Sequence, residues 1–109
     1  MNESSRIEKI AVIGAGQMGN GIAHVFAQAG YSVTMIDVAQ PALDRGRTTI
    51  EKNLERQLKK GSIDAAARDA TLGRVATSTA LAAAADAALV VEAATGNRAP
   101  TFRIFADLS

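Results

Sequence analysis

Three glycines and one aspartate set the chemistry this sequence can do. Gly14, Gly16 and Gly19 stand in a G-x-G-x-x-G spacing within "IGAGQMG", and Asp37 lies 18 residues beyond Gly19. Glycines so spaced can hold a phosphate. Gly14 allows a tight turn that a side chain would hinder, Gly16 puts no Cβ between the backbone and a pyrophosphate, and Gly19 lets the following helix pack closely on its strand. The unpaired N–H groups and positive dipole end of that helix would face the anion. Asp37 is placed to accept hydrogen bonds from both hydroxyls of an adenosine ribose. Its charge repels a 2′-phosphate, so the reading is NAD rather than NADP. No arginine follows it directly, the next residues being Val38 and Ala39.

The same spacing occurs in plain turns, so the surrounding elements decide. Ile10 to Ile13 is a continuous apolar run stopped by glycine, as for a strand buried on both faces. Residues 17 to 29 follow a helical period, with Met18, Ile22, Val25 and Ala29 on one stripe and Gly30 as the stop. Tyr31 to Asp37 alternates as a second strand and ends on the acid. Strand, glycine turn, helix and strand form a parallel βαβ unit, which favours a bound dinucleotide over a structural turn.

Pro41 opens a longer helix to Lys60, with Leu43, Ile50, Leu54 and Leu58 on its apolar face and Gly61 ending it. Ile63 to Leu72 reads as a helix doubling back. Arg74 to Thr79 and Ala87 to Ala94 read as third and fourth strands, and the alanine-rich run from Ala80 to Ala88 as helix. Phe102, Phe105 and Leu108 fall near helical spacing, so a final helix is expected from Pro100 to Leu108. The fold class is α/β: a Rossmann-type parallel sheet of about four strands, in the order 3-2-1-4, with a helix hairpin between the second and third.

Composition narrows the partners. The formal net charge is +1, which gives no reason to expect nucleic acid or an anionic membrane. No cysteine is present, so disulfides, thiolate metal sites and a cysteine nucleophile are excluded, and a reducing cytoplasm suits the chain. The polar start "MNESSRIEK" lacks the apolar core of a secretion signal, and the longest apolar stretch is too short to span a bilayer.

The segment "IEKIAVIGAGQMGNGIAHVFAQAGYSVTMID" resembles the start of the 3-hydroxyacyl-CoA dehydrogenase family, its 3-hydroxybutyryl-CoA members in particular. "LERQLKKGSID" and "ALVVEAATGNRAPTFRIFADL" resemble the family's hairpin and its fourth strand with the helix after it. The resemblance implies an oxidoreductase of fatty acyl-CoA metabolism, transferring a hydride between NAD and the C3 carbon of an acyl-CoA. Gly14, Ala15, Gly16, Gln17, Met18, Gly19 and Asp37 then correspond to NAD contacts, as does Ala93 just past the fourth strand. Asn53 and Lys60 correspond to contacts with the CoA portion of the substrate. Two departures lie on the nicotinamide and substrate side. Gly96 stands where the family usually has glutamate, and Thr101 where it usually has lysine.

Family members continue with two more strands, carrying a serine and a histidine base paired with glutamate, and then with a helical dimerisation and substrate domain. This chain ends at Ser109, so residues 1–109 read as an incomplete NAD-binding domain that binds NAD without turning over. His24 is the only histidine, and it reads as a surface or half-buried helix residue with no carboxylate to orient it. Glu92 reads as a carboxylate that bonds nearby backbone rather than a catalytic acid, so no catalytic residue is assigned. Lys52, Arg56, Lys59 and Lys60 read as a solvated face supported by a Glu55–Lys59 pair. With no further strands, the fourth strand becomes an apolar edge, expected to recruit a second copy or to be covered by a rearranged tail. The alternative reading is a non-catalytic, stand-alone dinucleotide-binding or interaction module.

Overall fold

Strand β1 (Lys9–Ile13) occupies the middle of the sheet, where its apolar run is needed on both faces. The computed structural model describes residues 9–93 and 101–104. Helix α1 (Gln17–Gln28) leads to β2 (Ser32–Ile36), and the hairpin α2 (Gln40–Lys59) and α3 (Ala65–Gly73) leads to β3 (Val75–Ser78). A 3-10 turn (Leu81–Ala84), β4 (Leu89–Glu92) and β5 (Thr101–Ile104) complete the order. The sheet runs β3-β2-β1-β4-β5. β1 pairs in parallel with β2, from Lys9↔Ser32 to Ile13↔Ile36, and with β4, from Ile10↔Leu89 to Ile13↔Glu92. β2 and β3 are likewise parallel.

Alternation along the strands divides the core. Ile10 and Val12 of β1 face the helices, where they join Val33, Met35, Leu43, Ile50, Leu54 and Val91. Ala11 faces the other way and packs with Ile36, Val90 and Ala87, against which Ile13, Ala83 and Ala84 lie. Burial of each large aliphatic side chain contributes roughly 1.5–3 kcal/mol. The α2 anchors Leu43, Ile50 and Leu54, all at 0% exposure, therefore fix the hairpin to the sheet. Asp64 caps α3, its Oδ1 accepting the Ala67 N–H at 2.8 Å.

Four expectations are corrected. The buried side of α1 is Gly19, Asn20, Ala23, His24 and Ala27, whereas Val25 is 66% and Met18 38% exposed. Small residues line the contact because α1 lies close on the sheet, and hydrophobicity alone does not register that closeness. The tail is not helical where it is described: β5 runs antiparallel to β4, from Leu89↔Ile104 to Glu92↔Thr101, giving a fifth strand. Its β-branched and aromatic residues suit a strand, and β4 offered unpaired N–H and C=O groups to pair with. The alanine run forms only the 3-10 turn. Finally, Glu55 pairs with Arg68 of α3 rather than with Lys59. Gly96, Pro100, Phe105 and Leu108 lie outside the described residues.

Candidate dinucleotide site

The glycine turn leaves the C-terminal end of β1, where the sheet order reverses between β1 and β4. Gly14 has φ +103°, a value glycine adopts without strain, and its N–H donates to the Ile36 carbonyl at 2.6 Å. This bond ties the turn to the end of β2. Gly19 meets the turn from the helix: a Cβ there would stand 1.8 Å from the Gly14 carbonyl oxygen. Close approach, rather than backbone freedom, is what position 19 demands.

Gly16 is the N-cap of α1, with φ −68° and ψ −166°, a conformation open to any residue. A Cβ at this position would meet no atom within 4 Å. The protein itself therefore leaves open the space above Gly16. No side chain caps α1, and no acidic residue lies in its first turn. The first N–H groups of a helix have no intrahelical partner, so they and the positive dipole end face an external acceptor. Gln17 is exposed and Met18 half-exposed on that first turn.

Asp37 follows β2 and closes the site from the other side. Its Oδ2 accepts the Ala15 N–H at 3.0 Å and its Oδ1 accepts the Ala39 N–H at 3.0 Å. These backbone donors, Ala39 first and Ala15 next, and more weakly the charge of Arg45, lower the Asp37 pKa below the usual carboxylate value and hold the group ionised. The clamp on Ala15 is a feature that spacing could not show. Each carboxylate oxygen keeps acceptor capacity beyond its one N–H. Beside Asp37, an apolar recess of about 240 Å³ is lined by Ile13, Gly14, Ile36, Val38, Thr79 and Leu81. Val38 and Leu81 are 92% and 65% exposed on its rim.

Ala93 lies at the same end of the sheet, its N–H donating to the Ile13 carbonyl at 2.8 Å beside the start of the turn. Glu92 forms an ion pair with Arg103 of β5 at 3.6 Å. Thr101 begins β5, opposite Glu92. His24 is not at the surface or half-buried, as expected, but buried at 7% exposure, because α1 lies close on the sheet, and its Nε2 is hydrogen-bonded to Gln28 Oε1 at 2.8 Å. Asn53 and Lys60 are separate from the turn, on the far half of α2. Asn53 Oδ1 accepts from Arg56 Nη1 at 3.0 Å, and Lys60 is exposed at the helix end. A cleft of about 710 Å³ opens between α2 and α3, with Lys52, Arg56, Lys59 and Arg68 in its walls. Among the described residues no group of three or more metal-ligating side chains occurs, and no helix is long and apolar enough to cross a membrane.

A mostly parallel sheet with a glycine turn at its switch point, an uncapped helix start and a clamped acid define a Rossmann-type dinucleotide-binding domain. Comparison with known proteins is more specific. Residues 9–109 match the family model described as 3-hydroxyacyl-CoA dehydrogenase, NAD binding domain, and the chain belongs to that family, whose cofactor is NAD. It is 41% identical over 105 residues to the 3-hydroxybutyryl-CoA dehydrogenase of Mycobacterium tuberculosis, covering 96% of this chain and 37% of that protein. The 3-hydroxybutyryl-CoA dehydrogenase of Bradyrhizobium diazoefficiens is 43% identical over 102 residues, or 94% of this chain and 35% of that one. The crystal structure of (S)-3-hydroxybutyryl-CoA dehydrogenase from Ralstonia eutropha superposes with a TM-score of 0.81 at 36% identity. It covers 84% of this chain and 32% of that one. The chain thus spans about a third of the length of the curated relatives it matches.

Proposed function

We propose that this chain is the NAD-binding portion of a cytoplasmic NAD-dependent 3-hydroxyacyl-CoA dehydrogenase, and that residues 1–109 alone bind the cofactor without turnover. The observation that carries the reading is the open space above Gly16, framed by the uncapped α1 and the clamped Asp37. In this reading Gly14 and Gly19 shape the turn. The backbone of Ala15, Gly16, Gln17 and Met18 surrounds the pyrophosphate. Asp37 takes the ribose hydroxyls, the apolar recess beside it takes the adenine, and Ala93 lies along the path to the nicotinamide. NAD supplies the hydride acceptor when bound. The described residues bind it, orient it and exclude a 2′-phosphate, and among them no general base stands at the turn. Asn53 and Lys60 are the proposed contacts for the CoA portion of an acyl-CoA substrate, and in this reading a helical substrate domain lies outside residues 1–109.

A second reading has one observation in its favour. β5 pairs with β4 from within the chain, so β4 has a neighbour on both sides without a second copy, which suits a stand-alone dinucleotide-binding module. A chimera separates the two. Residues 9–93 replace the matching part of the Bradyrhizobium diazoefficiens relative, and NAD-dependent oxidation of 3-hydroxybutyryl-CoA is followed at 340 nm, roughly the NADH absorbance maximum. The dehydrogenase reading expects an active chimera and an inactive isolated chain. A chimera that folds and binds NADH yet stays inactive favours the module, and turnover by the isolated chain contradicts the division of labour.

A further inference from the structure

Gly46 sits in the interior of α2, where glycine is a poor helix former. Packing explains it. A Cβ at this position would stand 2.9 Å from the Ala15 carbonyl oxygen and 3.4 Å from Asn20 Cβ. α2 therefore rests directly on the glycine turn, at a range that only glycine allows. Its neighbours Ala42, Arg45 and Thr49 then share a cavity of about 260 Å³ with Ala15, Gly16 and Gln17. Arg45 is exposed, and among the described residues its guanidinium makes no ion pair or hydrogen bond. The nearby Asp37 feels this charge, which helps to lower its pKa, but the two groups make no ion pair or hydrogen bond. A guanidinium with no ion-pair or hydrogen-bond partner among the described residues thus shares a cavity with the start of a helix whose first turn carries no acid.

We propose that Arg45 is a further binding residue of the dinucleotide site, supplying from α2 the positive charge that neutralises a phosphate held at the glycine turn. Gly46 is the residue that lets α2 approach closely enough for this. The inference rests on the dinucleotide reading above and adds an element, α2, that the glycine fingerprint does not contain.

The test is titration of the wild type, R45Q and R45K with NADH, ADP-ribose and NADPH, at about 20 mM and about 200 mM NaCl. Loss of one partly exposed charge contact should weaken NADH and ADP-ribose alike, about five- to tenfold at low salt. The salt dependence should flatten in R45Q and persist in R45K. The melting temperature should move little, because the side chain makes no hydrogen bond or ion pair among the described residues. Affinities of R45Q within about twofold of wild type, with the same salt dependence, would overturn the proposal. So would an effect confined to NADPH, which would place the charge at the ribose. A wild type that binds no dinucleotide would overturn both this inference and the reading beneath it.

Discussion

Replacing Gly19 by alanine tests the geometry of the turn more sharply than any other single substitution. The added Cβ would fall 1.8 Å from the Gly14 carbonyl oxygen and 2.7 Å from its carbon, both backbone atoms. Relief to an ordinary contact needs a shift of over ~1 Å, and the turn has little room to give. Gly14 is held by its N–H bond to Ile36, and Ala15 by the Asp37 carboxylate. Overpacking typically costs about 1–3 kcal/mol, and a rigid backbone neighbour puts this case near the upper end. For a domain of this size each kcal/mol moves the melting temperature by about 4–8 °C, so Gly19→Ala should melt about 12–24 °C below wild type. Gly21→Ala is the internal control. It lies two residues further along the same helix, its Cβ would meet nothing within 4 Å, and alanine is the better helix former by about 1 kcal/mol. Its melting temperature should rise. Thermal unfolding followed by circular dichroism, with all three proteins in one buffer, reads both signs. A Gly19→Ala protein melting within a few degrees of Gly21→Ala would refute the close approach of α1 to the turn.

Gly16→Ala should separate binding from folding. Its backbone suits alanine and its Cβ meets only open space, so calorimetry should show an unchanged melting temperature while NADH affinity falls by about tenfold or more. Asp37 should leave a mark in the pH dependence of stability. Its folded pKa is depressed, so its contribution is fully present above the unfolded value and is lost as pH falls through the lower folded one. Denaturant midpoints should therefore drop more steeply below about pH 4 for wild type than for Asp37→Asn. Arg103→Pro should break β5 and reopen the β4 edge. Sedimentation velocity should then show association rising with concentration, whereas the parent chain stays at lower order under the same conditions.

What the sequence disclosed, and what it hid, follow from the range of the interactions involved. The turn, α1, β2 and the acid at its end are local: glycine spacing, an apolar run and a β-branched run each fix their own conformation within a few residues. The order 3-2-1-4 is that of the Rossmann arrangement which the glycine fingerprint marks. The buried face of α1 was hidden, since Gly19, Ala23 and Ala27 are chosen for closeness to the sheet and carry little hydrophobic signal, while the apolar Val25 points outward. β5 was hidden for a related reason. Phe102 fits a helical spacing as well as a strand, and the partner that decides, β4, is distant in sequence. In the site, the glycines and Asp37 were legible as types, but the clamp of Asp37 on Ala15 and the contact of Gly46 with the Ala15 carbonyl exist only in three dimensions. A helix-interior glycine at position 46 was the available signal for the second of these.

The central claim is that the turn and Asp37 form a site for NAD within these residues. Its most direct measurement is parallel titration of the purified chain with NADH and NADPH, following nicotinamide fluorescence. The account predicts saturable binding of NADH and binding of NADPH weaker by about tenfold or more, because the Asp37 carboxylate repels a 2′-phosphate. Equal affinity for the two, or saturation by neither, would contradict it.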